Sequence, residues 1–477
     1  MAKKNFYTKK LSDSELLEII EDEDFYLDKY FPSFNDPDTD MEDFDAVEEG
    51  PLADVFSSDN SDNQAEEILE DTNKVMNSEQ KEVTEQMESE IDLENINDNE
   101  TEGDQEENDK NVELTIQRKW ERRLATAPDL SEYNQPAGIN ENEFIECDTA
   151  LGVFLKLLGP AVEKNVFQSN LYAVQKGKSL NLTENEFLCF LGINFLMGYH
   201  QLLSLSCYWN TSRDLHVTLV SEAMSRNRFQ EILSFLHVNN NSLLSKENKD
   251  KVYKVRPLFK ILNNQFKFLY YGSRELSLDE SIVKFKGRSV LNQYNPMKPV
   301  KRGYKLWCLS DQYGFIKKFD IYQGKNEIIE TKYKDHTLGE GVVLHMTEEE
   351  RGKKKLVYFD NYYTTLKLLE ILRGQDIFAC GTIRNNRKGL PKNMKSDKML
   401  ERGAADMMVS NTDITYFKWK DNRVVHAASN FHGTEETIMQ RKDKTGKKCD
   451  ITAPCAIKDY NKYMGGVNHA DRLRLFN

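Results

Sequence analysis

LSLDESIVKFKGRSVLNQYNPMKPVKRGYKLW, residues 276–307, joins a strand-like apolar run to a carboxylate pair and then to a long basic strip. The carboxylates are Asp279 and Glu280. After them come Lys284, Lys286, Arg288, Lys298, Lys301, Arg302 and Lys305, with no further acid before Trp307. Tyr294 and Tyr304 lie among these cations. A fixed carboxylate beside a basic, aromatic-dotted surface suits a site that holds a metal ion against a polyanion. A surface strand followed by a solvated loop would read the same way on this stretch alone.

A second carboxylate downstream has a similar setting. Residues 356–359 form a short apolar strand ending at Asp360, followed by a helix over 365–373 and a strand over 377–383. Residues 276–285, 304–310 and 315–322 read as successive strands, with turn residues at 311–314 between the last two. Strands alternating with helices predict a mixed α/β core. Asp279 and Asp360 each fall at or near the carboxyl end of an apolar strand. Two strands of one sheet can bring such acids together, and they tolerate that proximity best with a divalent metal between them. Mg²⁺ suits such hard oxygen ligands and the attack of a water or hydroxyl on phosphorus. Ordinary strand-end acids remain the competing reading, because the chain holds 79 Asp and Glu.

Upstream, residues 120–270 read as an all-α block. From Glu143, FIECDTALGVFLKLLGPAVEKNVFQSNLYAV carries apolar residues at three- and four-residue spacing. Thr183 caps the next helix, residues 184–198, with Glu186 completing a capping box. A third helix starts near Ser221 and carries Arg226 and Arg228. A fourth follows Pro257.

On the other side, residues 384–440 read as a β-containing insertion. Arg384, Arg387, Lys388, Lys392 and Lys395 form a basic run around Gly389 and Pro391, which could equally be a solvated face. Residues 414–419 and 423–428 flank a hairpin turn at Asp421-Asn422. QRKDKTGKK, residues 440–448, reads as a basic linker, and Gly465-Gly466 precedes a last helix.

The net charge of −15 hides two opposed halves. Residues 1–110 hold 37 acids against 8 bases, and residues 111–477 hold 42 acids against 56 bases, so a tail of −29 precedes a body of +14. The tail is too poor in apolar residues to offset ordering entropy and is expected to be disordered. Clusters such as residues 16–20, LLEII, offer patches for protein partners. Seven cysteines with no CxxC pair argue against a disulfide framework and a zinc module, and suggest a reducing compartment. The N-terminal residues lack a signal-peptide core, and no run approaches 18 apolar residues, so no membrane span is expected. No phosphate-binding loop or HExxH zinc motif occurs, and the histidines have no ligand spacing.

Several long motifs resemble those of piggyBac-type transposases, in the same order, over about residues 118–477. The stretch from Leu276 through LSDQYGFIKKFDIYQGK resembles the first catalytic block, VYFDNYYTTLKLLEILRGQDIFACGTIRNNRKGLP the second, and YNKYMGGVNHAD the third. MSRNRFQEILSFLHVNN with KVYKVRPL is similar to the family's helical DNA-binding and dimerisation region. The resemblance implies an RNase H-like core with acidic metal ligands, hydrolysis of DNA at transposon ends, hairpin intermediates and joining to TTAA targets. It implies Mg²⁺ or Mn²⁺ as cofactor, DNA as partner, a homodimer and a nuclear location.

On this resemblance Asp279 matches the first carboxylate and Asp360 the second, while Asp471 matches the acid three residues after the third. The third position itself is Asn468, where the family typically has Asp. Residues 468 and 471 share a helix face, but Asn offers a carbonyl oxygen without charge, which weakens metal binding. The family also continues with further helices and usually a cysteine-rich zinc module, which this chain lacks. The expected organisation is an acidic tail over 1–117, a helical DNA-binding and dimerisation domain over 118–270, and the first part of an RNase H-like core over 271–383. An insertion follows over 384–440, then a truncated second part of the core over 441–477. The expected metal ligands are Asp279, Asp360 and Asp471. The expected DNA contacts are Lys284, Lys286, Arg288, Lys298, Lys301, Arg302, Lys305, Arg384, Arg387 and Lys388. The expected activity is metal-dependent cleavage and strand transfer impaired at Asn468. The alternatives are an active transposase using Asp471 as third ligand, or a non-enzymatic adaptor tethered to chromatin.

Overall fold

The computed structural model describes residues 118–477, apart from 131–132, 297, 325–326, 443–446 and 477. The acidic tail expected to be disordered lies outside the described residues. The described chain opens with two short strands, β1 (Trp120–Glu121) and β2 (Gly138–Ile139). Five helices follow: α1 (Ala150–Gln175), α2 (Glu184–Tyr199), α3 (Thr218–Ala223), α4 (Arg226–Phe235) and α5 (Arg256–Leu269).

Local caps decide where these helices start. Thr149 and Thr183 accept backbone N–H bonds from Gly152 and Glu186, three residues on. The apolar periodicity from Glu143 therefore overshoots: residues 141–143 form one 3₁₀ turn, and α1 begins at Ala150. Glu186, which also has a backbone hydrogen bond from Thr183 at this cap, has a second job. Its carboxylate accepts from Arg228 Nε at 2.5 Å and Nη2 at 2.7 Å, tying α2 to α4. The single helix expected from Ser221 is broken at Met224–Ser225, because the Ser225 hydroxyl accepts from Arg228 N and starts a new helix. Phe187, Phe190, Phe229 and Ile232 are buried in one cluster in this helical region.

Strand β3 (Tyr270–Gly272), which pairs with β2, is followed by β4 (Glu275–Lys284), β5 (Asn292–Tyr294), β6 (Arg302–Asp311) and β7 (Ile316–Ile321). Helices α6 (Glu327–Lys332) and α7 (Leu338–Met346) lead to β8 (Leu356–Phe359), α8 (Leu366–Gly374) and β9 (Phe378–Thr382). Strands β10 (Ala405–Ser410), β11 (Thr415–Lys420), β12 (Val424–Ser429), β13 (Glu436–Lys442) and β14 (Lys448–Pro454) precede helices α9 (Cys455–Tyr463) and α10 (Gly466–Phe476). Ten strands make one sheet in the order β1-β10-β11-β12-β9-β8-β4-β6-β5, with β7 also paired to β6. Strands β4, β8 and β9 are parallel neighbours, and β6 is antiparallel to β4. Strands β10 to β12 extend this sheet through the β12–β9 pairing.

Two sequence expectations change here. Residues 440–448 are not simply a linker, because β13 and β14 pair on either side of 443–446. The alternation that supports this hairpin is local: Met439 and Ile451 pack on a buried cluster while their neighbours face outward. Helix α7 was not anticipated, although Thr337 and Glu340 form a complete capping box at its start.

The two-residue period of β4 gives the sheet two unlike faces. Leu276 and Leu278 point into a cluster with Val357 and Phe359 of β8, Val343 of α7, and Leu368 and Leu369 of α8. Each fully buried Leu contributes about 1.5–3 kcal/mol relative to an exposed one. On the opposite face, Leu356 and Tyr358 of β8 join Phe417, Trp419, Ile457 and Tyr460 under α9. The β4 residues on that second face are polar: Ser277, Asp279 and Ser281.

Candidate active site

The β4–β8 register determines where the two strand carboxylates sit. Glu275 pairs with Leu356, and the ladder runs in parallel to Leu278 and Phe359. Asp279 and Asp360 each follow the last residues of that ladder, Leu278 and Phe359, so the register brings their two backbone segments together. Asp279 is not at the end of its strand, as the sequence suggested. β4 continues to Lys284, paired with β6. What ends at Leu278 is the β8 partner.

Burial and the Glu280 charge act on both acids. Asp279 is pushed up from its ordinary value first by burial and then by Glu280, with the Lys298 ammonium opposing. Asp360 is pushed up by burial, then by Glu280 and Asp279. The Glu280 side chain is hydrogen-bonded to that of Asp279. Burial raises its carboxyl too, but Lys305, Lys298 and the Tyr363 hydroxyl outweigh that and hold it below the usual range. Tyr363 Oη donates to Glu280 Oε1 at 2.5 Å, and Lys305 Nζ lies 3.3 Å from the same oxygen. Since Tyr363 is three residues after Asp360, this bond pins the loop carrying Asp360 to β4.

Helix α10 crosses the polar face of β4. A Cβ on Gly466 would meet the Asp311 carbonyl oxygen at 2.2 Å and Ser277 Oγ at 2.6 Å, so only glycine permits this approach. One and a half turns later, Asp471 Oδ1 accepts from Ser281 Oγ at 2.5 Å and from Arg474 Nη2 at 2.9 Å. Arg474 also donates to the Ile282 carbonyl at 2.9 Å. Burial raises the Asp471 carboxyl, against the Ser281 hydrogen bond and the Arg474 charge. Ser281 follows Asp279 by two residues, so Asp471 reaches the Asp279 face of the strand. Asn468 is partly buried one turn before Asp471. Among the described residues, no three His, Cys, Asp or Glu side chains come together as a ready metal-binding group.

A protein-family model described as transposase IS4 matches residues 149–475. The chain belongs to the piggyBac transposase family. PiggyBac transposable element-derived protein 3 of Homo sapiens is 38% identical over 320 residues, covering 65% of this chain and 53% of that protein. PiggyBac transposable element-derived protein 2 of Homo sapiens is 33% identical over 315 residues, covering 64% and 52%. The chain thus spans about half the length of the curated relatives it matches. Among solved structures, a cryo-EM structure of a piggyBac transposase synaptic complex with hairpin DNA aligns with a TM-score of 0.59 at 22% identity. That alignment covers 71% of this chain and 70% of the other. It establishes a shared mixed α/β fold.

Within this piggyBac-family fold the ten basic residues picked from sequence divide into two groups. Lys284, Lys286, Arg288, Lys301, Arg302 and Lys388 are exposed. The other four turn toward the acids or the loop that carries them. Lys298 Nζ is 3.8 Å from Asp279 Oδ2, and Lys305 pairs with Glu280. Arg384 Nε donates to Asn361 Oδ1 at 3.4 Å. Arg387 Nη2 donates to the Asn361 and Tyr362 carbonyls at 3.0 and 2.8 Å. Burial, then the nearby Arg384 charge, lowers the Arg387 pKa. Arg384 and Arg387 thus brace the residues that follow Asp360. Sequence reasoning missed Ser281, Tyr363 and Gly466 as supports of the site. The alternation Ser277-Asp279-Ser281 was the signal available for the first.

Proposed function

We propose that this chain is a piggyBac-derived DNA-binding protein whose RNase H-like core performs metal-dependent DNA cleavage and strand transfer only weakly, because Asn468 stands at the third acidic position. The observation that carries the reading is the parallel β4–β8 register, whose last pair, Leu278 and Phe359, directly precedes Asp279 and Asp360. The antiparallel order β7-β6-β4 followed by parallel β8 and β9 supports an RNase H-like core. DNA as partner is supported by the fold shared with a transposase whose structure is described as a complex with hairpin DNA.

The donor chemistry suits Mg²⁺ or Mn²⁺ at two positions and falls short at a third. Asp279 and Asp360 are oxygen donors whose ionisation is opposed by burial and by the Glu280 charge, a penalty that a divalent charge would relieve. Asp471 would be the third holder, and Asn468 could add only a neutral oxygen. A bound ion would stabilise negative charge developing on a phosphodiester. The chain's own residues do the rest. The exposed Lys284, Lys286, Arg288, Lys301, Arg302 and Lys388 meet the phosphate backbone in a salt-sensitive, sequence-independent way. Tyr363, Arg384 and Arg387 hold the Asp360 loop in place. Such a protein works in the nucleus, and nuclear exclusion of a fluorescent fusion would count against it.

Nicking of a transposon-end duplex with Mn²⁺, by the full chain and by Asn468→Asp, tests this reading. Weak wild-type nicking that Asn468→Asp raises supports it, and robust wild-type nicking overturns the impairment. The position of Asp471 over Ser281 favours a second reading, in which Asp471 compensates fully. In that case the wild type is active, and Asp471→Ala abolishes nicking while duplex binding persists.

A further inference from the structure

Lys298 reaches the acids from the connection between β5 and β6. Within that connection, Asn295 N donates to the Lys301 carbonyl at 2.8 Å and Lys298 N to the Asn295 carbonyl at 3.4 Å. The ammonium is therefore delivered by a hydrogen-bonded connection between two paired strands. Its Nζ donates to the Glu280 carbonyl at 3.3 Å and lies 3.8 Å from Asp279 Oδ2. Asp279, Glu280, Asp471 and Asp360 all act on it electrostatically, Asp279 most strongly. The Lys298 side chain keeps 27% exposure against 12% for Asp279, so it enters from the open side of the cluster.

We propose that Lys298 is the resident cation of this cluster and competes with a divalent ion for Asp279. The inference rests on the reading above that Asp279 and Asp360 are metal holders. An ammonium at this place offsets the same repulsion that a metal would. A single and a double positive charge a few ångströms apart repel strongly where little water screens them. Both cannot neutralise Asp279 at once. The four-carbon stem of lysine and its open approach let the ammonium swing out without moving the strands. Weak metal affinity then has two origins in this chain, an uncharged side chain at 468 and a cation already in place at 298.

Mn²⁺ titration followed by the electron paramagnetic resonance of the free ion tests this on the full chain. The set is wild type, Lys298→Met, Lys298→Arg and Asp279→Asn. Lys298→Met is expected to bind Mn²⁺ about tenfold more tightly than wild type, or about 1.4 kcal/mol. Lys298→Arg, which keeps the charge, is expected to stay near wild type. Thermal unfolding without metal should begin earlier in Lys298→Met and recover on adding Mn²⁺. Equal or weaker binding by Lys298→Met, with binding abolished in Asp279→Asn, overturns the competition while leaving the metal reading intact. Absence of binding in every protein, or equal binding that survives Asp279→Asn, overturns both. Should Lys298→Met fail to fold, Lys298→Gln makes the same comparison.

Discussion

The acids on the strands and the acid on α10 are held by different forces. Asp279 and Asp360 each follow the last pair of a parallel backbone ladder, Leu278 and Phe359, which anchors the segments that carry them. Their placement is imposed by the sheet, and burial and repulsion are the consequence. Asp471 sits on a helix seated against β4 at Gly466, and it has partners of its own in Ser281 and Arg474. The sheet thus supplies a compelled pair, whereas the helix supplies a satisfied acid whose approach depends on packing. A site built this way loses its strand half through the chemistry of its side chains and its helix half through a shift of a whole element.

The sharpest break of the strand half is Asp279→Asn. Any Mn²⁺-dependent nicking by the wild type should fall on the order of 100-fold or more, with native circular dichroism retained. Unchanged nicking would remove the strand pair from the chemistry. Next in size, Leu278→Ala hollows the opposite face of the same strand. It should cost about 2–5 kcal/mol in urea unfolding, and a loss well under that range would mean the face can collapse around the gap. For the helix half, Gly466→Ala drives a methyl into the Asp311 carbonyl and Ser277. Overpacking of this kind costs about 1–3 kcal/mol, and it should also weaken Mn²⁺ binding by moving Asp471. Wild-type stability and Mn²⁺ affinity in this variant would mean that α10 tolerates displacement.

The smallest effect is on pH dependence. Asp279 is raised from 3.8 to about 6, by burial first, with Lys298 opposing and Glu280 adding. The folded protein then keeps this proton where the unfolded chain has lost it, so stability falls as pH rises through that window. Metal-free wild type should lose stability relative to Asp279→Asn across the same window. A difference that stays flat with pH would mean that the carboxyl is not held protonated by its surroundings.

Much of this was legible in the chain itself. The apolar run before Asp360 gave β8 with its boundaries, and the alternation in 276–281 contained both faces of β4. The caps at Thr149, Thr183, Ser225 and Thr337 were also written locally. They were harder to use because a cap competes with apolar periodicity that runs straight through it, as at Met224. The hairpin around residues 443–446 was obscured by its charge, since exposed strand positions tolerate lysine as readily as linkers do. For the candidate site, sequence singled out the acids but not the residues that hold them. Ser281, Tyr363 and Gly466 are ordinary residues until something packs on them.

By itself the sequence determined the side-chain periods, the helix starts, the acidic and basic halves, and the identity of residue 468. These depend on neighbours within a few positions. The tertiary structure alone decided that Asp360 comes within reach of Glu280 and Asp279, that Asp471 lies over Ser281, and that four of ten basic residues turn inward. Those facts depend on strand register and on which helix covers which face. Register joins residues some 80 positions apart, and no local pattern encodes the partner.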